Sequence, residues 1–111
     1  MIYHITLYND FAKYIDEDYY EAESLKTESF IHCSTKSQVA ATIKRYYSNQ
    51  VAVLLLHIDE AKLTSPLKYE LATSVNENFP HIYGQINKDA IVKMQKILVA
   101  ESELDITKKI K

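Results

Sequence analysis

Glycine is nearly missing from this chain: its 111 residues include one, Gly84. Loops that cradle phosphate and turns that bind dinucleotides need several glycines, both for φ > 0 and for close backbone approach to the ligand. Neither G-x-G-x-x-G nor G-x-x-x-x-G-K-[ST] can be written with one glycine, so P-loop and Rossmann-type nucleotide binding are excluded. One cysteine, Cys33, cannot form an internal disulfide. Arginine is equally scarce, with Arg45 alone among 13 basic residues, and the net charge is −2. General nucleic-acid binding draws on a basic excess and is not expected. No apolar run approaches the roughly 18 residues of a membrane span. Met1 leads into Ile2-Tyr3-His4-Ile5 without a basic leader. The expectation is a cytoplasmic, unanchored protein, its oligomeric state open.

What is present reads as one α+β domain with a split, mixed or antiparallel sheet and one main helix. Its expected extent is residues 1–98, with 99–111 as a charged C-terminal extension that frays over Thr107 to Lys111. Ile2 to Leu7 is β-branched and aromatic and predicts a strand, with Ile2, His4 and Thr6 on one face and Tyr3, Ile5 and Leu7 on the other. Asn9 or Asp10 could cap a short helix carrying Phe11, Tyr14 and Ile15. Residues 16–28 read as an acidic, solvated loop. Phe30 to Ser34 predicts a second strand that sets Phe30, His32 and Ser34 against Ile31 and Cys33.

Thr35-Lys36-Ser37-Gln38 is a capping box. It opens the main helix, whose buried face is Val39, Ala40, Ile43 and Tyr46 or Tyr47, and Asn49 is expected to end it. Val51 to Ile58 is nearly unbroken apolar sequence, hence a strand covered on both faces. Asp59 to Leu63 reads as a turn, Leu67 to Glu70 as a short strand, and Phe79 to Ile86 as extended because Pro80 disfavours helix before it. Ile91 to Val99 alternates as a strand does, although Ile91, Met94 and Leu98 also fit a helix; strand is preferred.

Four histidines are available for chemistry. His57 ends the most apolar strand and reads as structural. His4 and His32 each share a strand face with a hydroxyl two positions on, Thr6 and Ser34. Either both rings are satisfied within the sheet, or the strands are neighbours and these side chains line a polar groove. Metal binding has little support: no H-x-x-x-H or C-x-x-C pair exists, and His32 and Cys33 point to opposite faces. Cys33 lacks a base beside it and reads as a small buried hydrophobe. Nine tyrosines are mostly packing, with one member of each pair, Tyr19-Tyr20 and Tyr46-Tyr47, expected inside. Glu70 at a strand end is either a surface carboxylate or a base for a hydroxyl.

Several of these pieces carry a resemblance: Ile2-Tyr3-His4-Ile5-Thr6, Glu23-Ser24-Leu25, Glu28-Ser29-Phe30-Ile31-His32-Cys33-Ser34-Thr35, Leu54-Leu55-Leu56-His57-Ile58-Asp59, Leu67-Lys68-Tyr69-Glu70 and Phe79-Pro80-His81-Ile82-Tyr83-Gly84. In this order, over residues 1–98, they resemble a small bacterial family known as domain of unknown function 952. Ser29 departs from it, standing where the family usually has glycine. That family is similar in fold to the ADP-ribosyltransferases and the RNA 2′-phosphotransferases.

The resemblance implies a groove for NAD or another small nucleotide-like ligand of ADP-ribose type, with ADP-ribosyl transfer as the reaction class. In it His4, His32 and Glu70 are the catalytic candidates and Thr6, Ser34, His81, Tyr83 and Gly84 the binding ones. By the same analogy His4 bonds a ribose hydroxyl and His32 packs on nicotinamide. The third catalytic position falls to Glu70 or Tyr83 by chemistry alone. Arg45 alone cannot supply the several guanidinium forks of a 2′-phosphotransferase, which argues against that activity. The alternative is a catalytically inert ligand sensor or protein-interaction module, and a third reading is a hydrolase or cyclase using His4 and His32 as an acid–base pair. Gly84 marks the most distinctive motif, so Gly84→Val is expected to harm ligand binding more than stability.

Overall fold

A computed structural model describes residues 1–101. Its first strand, β1 (Ile2–Thr6), is buried on both faces. On one side β1 pairs antiparallel with β4 (Ala52–Ile58), which in turn pairs with β8 (Ile91–Leu98), giving the order β1-β4-β8. A second sheet has the order β3-β6-β5, from Ile31–His32, Glu77–Ile82 and Leu67–Ala72. Tyr19–Tyr20 (β2) and Ile86–Asn87 (β7) form a two-stranded ribbon. All of these pairings are antiparallel. The two larger sheets meet at one bridge, where Tyr3 N–H donates to Ser34 O at 2.9 Å and Ser34 N–H to Tyr3 O at 2.7 Å. Beyond it β1 and β3 part, which is the split.

Alternation along β1 and β4 divides the core in two. Tyr3, Ile5, Val53 and Leu55 pack on Val39 and Ile43 of α3 (Val39–Tyr46), with Ile97 and Val99 closing that layer. Ile2, Leu56 and Ile58 pack the other way, on Phe11 of α1 (Tyr8–Ala12), Tyr20 and Ile86. The apolar run of β4 is thus covered from both sides, as its sequence requires. The T-x-x-Q cap forms as a 3-10 turn over Lys36–Gln38 ahead of α3, with Thr35 N–H donating to Gln38 Oε1 at 2.9 Å. The helix stops at Tyr46, before Asn49. Tyr20 is buried and Tyr46 exposed, so each tyrosine pair is divided across the surface.

Some local expectations change. Residues 16–28 are not one loop: they hold β2 and a short helix, α2 (Ser24–Glu28). β2 exists because of a partner far along the chain, Ile86–Asn87, and no local pattern announces it. The second strand contracts to Ile31–His32, since Ser34 has already turned to bridge β1. Ile91 to Leu98 is a strand; Met94 and Leu98, which fitted a helix face, are exposed on the outer edge of the sheet. Val99 is buried, one residue past the expected domain end, while Thr107 to Lys111 lie outside the described residues. No helix among the described residues is long and apolar enough to cross a membrane.

The shortage of glycine leaves a mark on the backbone. Ser29 (φ 74°) and Asn76 (φ 54°) take left-handed turns usually given to glycine. At Ser29, which caps the C-terminus of α2, an L-residue pays about 1–2 kcal/mol for that geometry. Glycine would remove most of this but loses more freedom on folding, by about 0.5–1 kcal/mol. Ser29→Gly should therefore stabilise the fold by about 0.5–1 kcal/mol in urea titration; a destabilised variant would contradict it.

Gly84 itself sits at φ 157°, and a Cβ there would lie 2.4 Å from Ser65 Oγ. Ser65 uses that oxygen to donate to Gln85 O at 2.6 Å. The glycine thus seats the turn after β6 against the approach to β5. Gly84→Ala is expected to cost stability by about 1–3 kcal/mol. Adding Ser65→Gly should recover part of the loss in thermal melts, and no recovery would count against the clash.

Candidate functional site

The split between the sheets opens into a cleft of about 980 Å³. Its floor is the polar face of β1. His4 is 6% exposed and Thr6 4%, and Tyr20 reaches across to both. The His32 carbonyl can only accept, so His4 Nδ1 carries the hydrogen of their 2.6 Å bond. In the neutral ring Nε2 is then an acceptor, 3.1 Å from the Tyr20 hydroxyl. Thr6 Oγ1 lies 2.9 Å from the same hydroxyl. One phenolic proton cannot serve both, and sending it to Thr6 would leave two lone pairs facing at His4. Because the Thr6 hydroxyl can turn, it can donate to Tyr20 while Tyr20 donates to His4.

Burial enforces that neutral state, lowering the His4 pKa to about 4 against the pull of the His32 carbonyl. The Tyr20 hydroxyl is pushed up by its burial, and so is the Cys33 thiol, which is therefore no nucleophile at neutral pH. His57 lies away from the cleft, bonded to Gln95 Oε1 at 3.0 Å and edge-on to Tyr3.

The wall above the floor is built by β3 and β6. Register pairs His32 with His81, and the rings meet at 5.4 Å between centroids. Each ring is held by a carboxylate: His32 Nε2 lies 2.9 Å from Glu28 Oε2, and His81 Nδ1 2.9 Å from Glu70 Oε1. Phe30 stacks on His81 at 4.0 Å and meets the edge of His32. Tyr83 O–H donates to the same Glu70 oxygen. These two bonds, Tyr83 first, hold the Glu70 carboxyl below its ordinary range, and the bond to Glu70 pushes the Tyr83 hydroxyl up. On the far side Ser34 Oγ lies 3.3 Å from Thr42 Oγ1, whose hydroxyl donates to Gln38 O.

Five of the expected residues thus line one cleft: His4, Thr6, His32, Ser34 and His81. Glu70, Tyr83 and Gly84 are not part of its lining. Glu70 and Tyr83 reach it only through His81, and Gly84 packs on Ser65. Tyr20 and Glu28 belong to the site but were not singled out by sequence, because both lie in the segment that reads as a loop. The spacing Glu28-x-x-x-His32 was a visible signal for the second. Arg45 also lines the cleft, from α3. Among the described residues no three metal-ligating side chains gather.

The neutral His4 ties stability to pH. Its folded pKa is below the unfolded value of 6.5, so the unfolded chain binds the extra proton between 6.5 and about 4. Stability from this residue is complete above that window and is lost as pH falls through it, by about 3 kcal/mol. His57, also lowered by burial, acts in the same direction. His4→Gln keeps a donor and an acceptor without the charge, so its unfolding free energy should fall much less between pH 7 and 4. Equal slopes in urea titrations would reject the assignment.

Among curated proteins, none matches this chain. The chain is similar to protein CC0527 from Caulobacter crescentus: to its crystal structure at 22% identity and TM-score 0.76, covering 86% of this chain and 83% of that one. To the solution NMR structure of CC0527 the values are 21%, 0.73, 87% and 84%. That likeness shows the fold. The profile described as "Protein of unknown function (DUF952)" matches residues 5–94, from the last two residues of β1 through β3, α3 and β6, and the chain belongs to that family.

Proposed function

We propose that the cleft binds a small nucleotide-like ligand of NAD or ADP-ribose type, and that the domain is an ADP-ribosyltransferase-like fold acting on it. The observation that carries this reading is the convergence of His4, Thr6, His32, Ser34 and His81 on one cleft. Ribose hydroxyls both donate and accept, and the floor offers partners of both kinds in Tyr20, Thr6 and the Ser34–Thr42 pair. A volume of about 980 Å³ is at the upper end for small-molecule sites and suits a ligand with two ring systems.

Charge in the lining is mixed with an acidic excess: Asp10, Glu21, Glu23 and Glu28 stand beside Lys13 and Lys26 in the N-terminal segment, with Arg45 on α3 and Glu77 on β6. The acidic excess suits a ligand with a cationic ring, as NAD has, and Lys13, Lys26 and Arg45 are the lining groups available to its phosphates. His32 and Phe79 offer flat surfaces for its rings.

Isothermal titration with NAD, ADP-ribose and AMP tests the reading. Heat is expected from at least one of them, and His32→Ala or His4→Ala should weaken binding by about tenfold or more, about 1.4 kcal/mol. No heat from any of the three overturns it.

A second reading, an inert ligand sensor, draws support from Glu70: the candidate carboxylate is held by His81 and Tyr83 outside the cleft lining. Release of nicotinamide from NAD separates the two, since a sensor binds without turnover.

A further inference from the structure

We propose that His81 is the general base of the cleft, with Glu70 and Tyr83 as its positioning residues. This rests on the reading that the cleft holds a ligand. The geometry is that of a relay on adjacent strands. Tyr83 O–H fixes Glu70, and Glu70 Oε1 accepts from His81 Nδ1–H at 2.9 Å. With Nδ1 carrying the hydrogen, the lone pair of the neutral ring is on Nε2. Nε2 makes no hydrogen bond among the described residues, and no buried side-chain nitrogen there is left unsatisfied, so this atom is not sealed from solvent. His81 lines the cleft and Glu70 does not; with Nδ1 tied to that carboxylate, we assign Nε2 to the ligand side of the ring. Phe30, stacked at 4.0 Å, blocks one face and limits rotation. An oriented imidazole with a free nitrogen, backed by a carboxylate, is the arrangement that takes protons from hydroxyls.

His4, by contrast, has both ring nitrogens engaged with protein partners. It orients the floor and has no free nitrogen for proton transfer. The proton therefore passes to a residue expected from sequence only to bind, and Glu70 acts through it.

With NAD in the cleft, a water oxygen bonds to the ribose carbon C1′ while its proton goes to His81 Nε2. The C1′–N bond breaks and its electron pair stays on the nicotinamide nitrogen, so nicotinamide leaves neutral. The imidazolium, stabilised by Glu70, later gives the proton to bulk water. NAD and water yield ADP-ribose, nicotinamide and one proton.

Acylation by diethyl pyrocarbonate tests the base without any nucleotide, because the reagent attacks an unprotonated imidazole nitrogen. The groups facing His81 are Glu70 and Lys68 from β5, Tyr83, and His32 with its Glu28. Peptide mass spectrometry should find His81 modified in the folded protein. Glu70→Gln keeps the shape and removes the charge that backs the ring, so it should lower the acylation rate at fixed pH by roughly tenfold. Tyr83→Phe should act in the same direction and less. Melting temperatures separate these effects from unfolding.

An unreactive His81, or a rate that Glu70→Gln leaves unchanged, overturns the proposal. NAD should protect His81, and His81→Asn should cut nicotinamide release by about a hundredfold or more while titration heat persists. Undiminished release by His81→Asn would also overturn it. Missing NAD heat and protection would instead reject the ligand assignment, with the acylation result still deciding the role of His81.

Discussion

Two backbone hydrogen bonds between Tyr3 and Ser34 join the sheets, and the site depends on their being so few. A continued ladder would have paired β1 with β3 along its length and closed the sheet over His4 and Thr6. A missing bridge would have left the sheets as independent layers. With one bridge, β1 keeps β4 as its full partner while β3 turns to β6. The strand ends that diverge leave peptide groups in need of partners, and His4 answers one of them by donating to the His32 carbonyl. A side chain thus substitutes where the ladder stops. This is why His4 is buried, and its burial in turn keeps it neutral.

The sequence is most informative where chemistry is local. Alternation in β1 and β4, the Thr35–Gln38 cap and the apolar face of α3 all rest on neighbours a few residues apart, and all are present. Strand pairing is different. Tyr19–Tyr20 becomes a strand through Ile86–Asn87, a separation that leaves no trace in either segment alone. The missed site residues follow from this: once 16–28 read as a solvated loop, Tyr20 had no route to the floor. The histidines were legible because polar side chains on otherwise apolar strands need a reason. Which of them faces the cleft with a free nitrogen was not, since that depends on the register between β5 and β6.

Gly84 shows the limit of reading a rare residue as a functional marker. One glycine in a chain that elsewhere sets serine and asparagine in left-handed turns has a reason to be there. Here the reason is steric. Ser29 and Asn76 carry side chains into solvent at positive φ, a cost of about 1–2 kcal/mol that a fold can absorb. Gly84 has Ser65 where its side chain would be: turning the Ser65 hydroxyl away would break its bond to Gln85 O, and no rotamer relieves the 2.9 Å approach to Ser65 Cβ. Scarcity indicates that the position matters, while the contact decides whether it matters to the fold or to the ligand.

The histidines of the cleft show how one side chain is given different chemistry by its surroundings. His4 has a carbonyl on one nitrogen and a phenol on the other, with no solvent to stabilise a charge, so it stays neutral and fixes the hydroxyls around it. His32 and His81 each have a carboxylate behind the ring, which fixes the orientation of the imidazole. A ring that must remain neutral cannot cycle a proton, whereas a ring whose charged form has a fixed partner can accept one at little cost in reorganisation. Glu28 is exposed and holds an exposed ring; Glu70 is itself held by Tyr83 and holds a ring that is nine-tenths buried. Of the two carboxylate-backed histidines, only His81 combines a fixed orientation with an open nitrogen in a sheltered cleft. On the proposed reading, proton transfer therefore belongs to His81, and the more exposed His32 is left to bind.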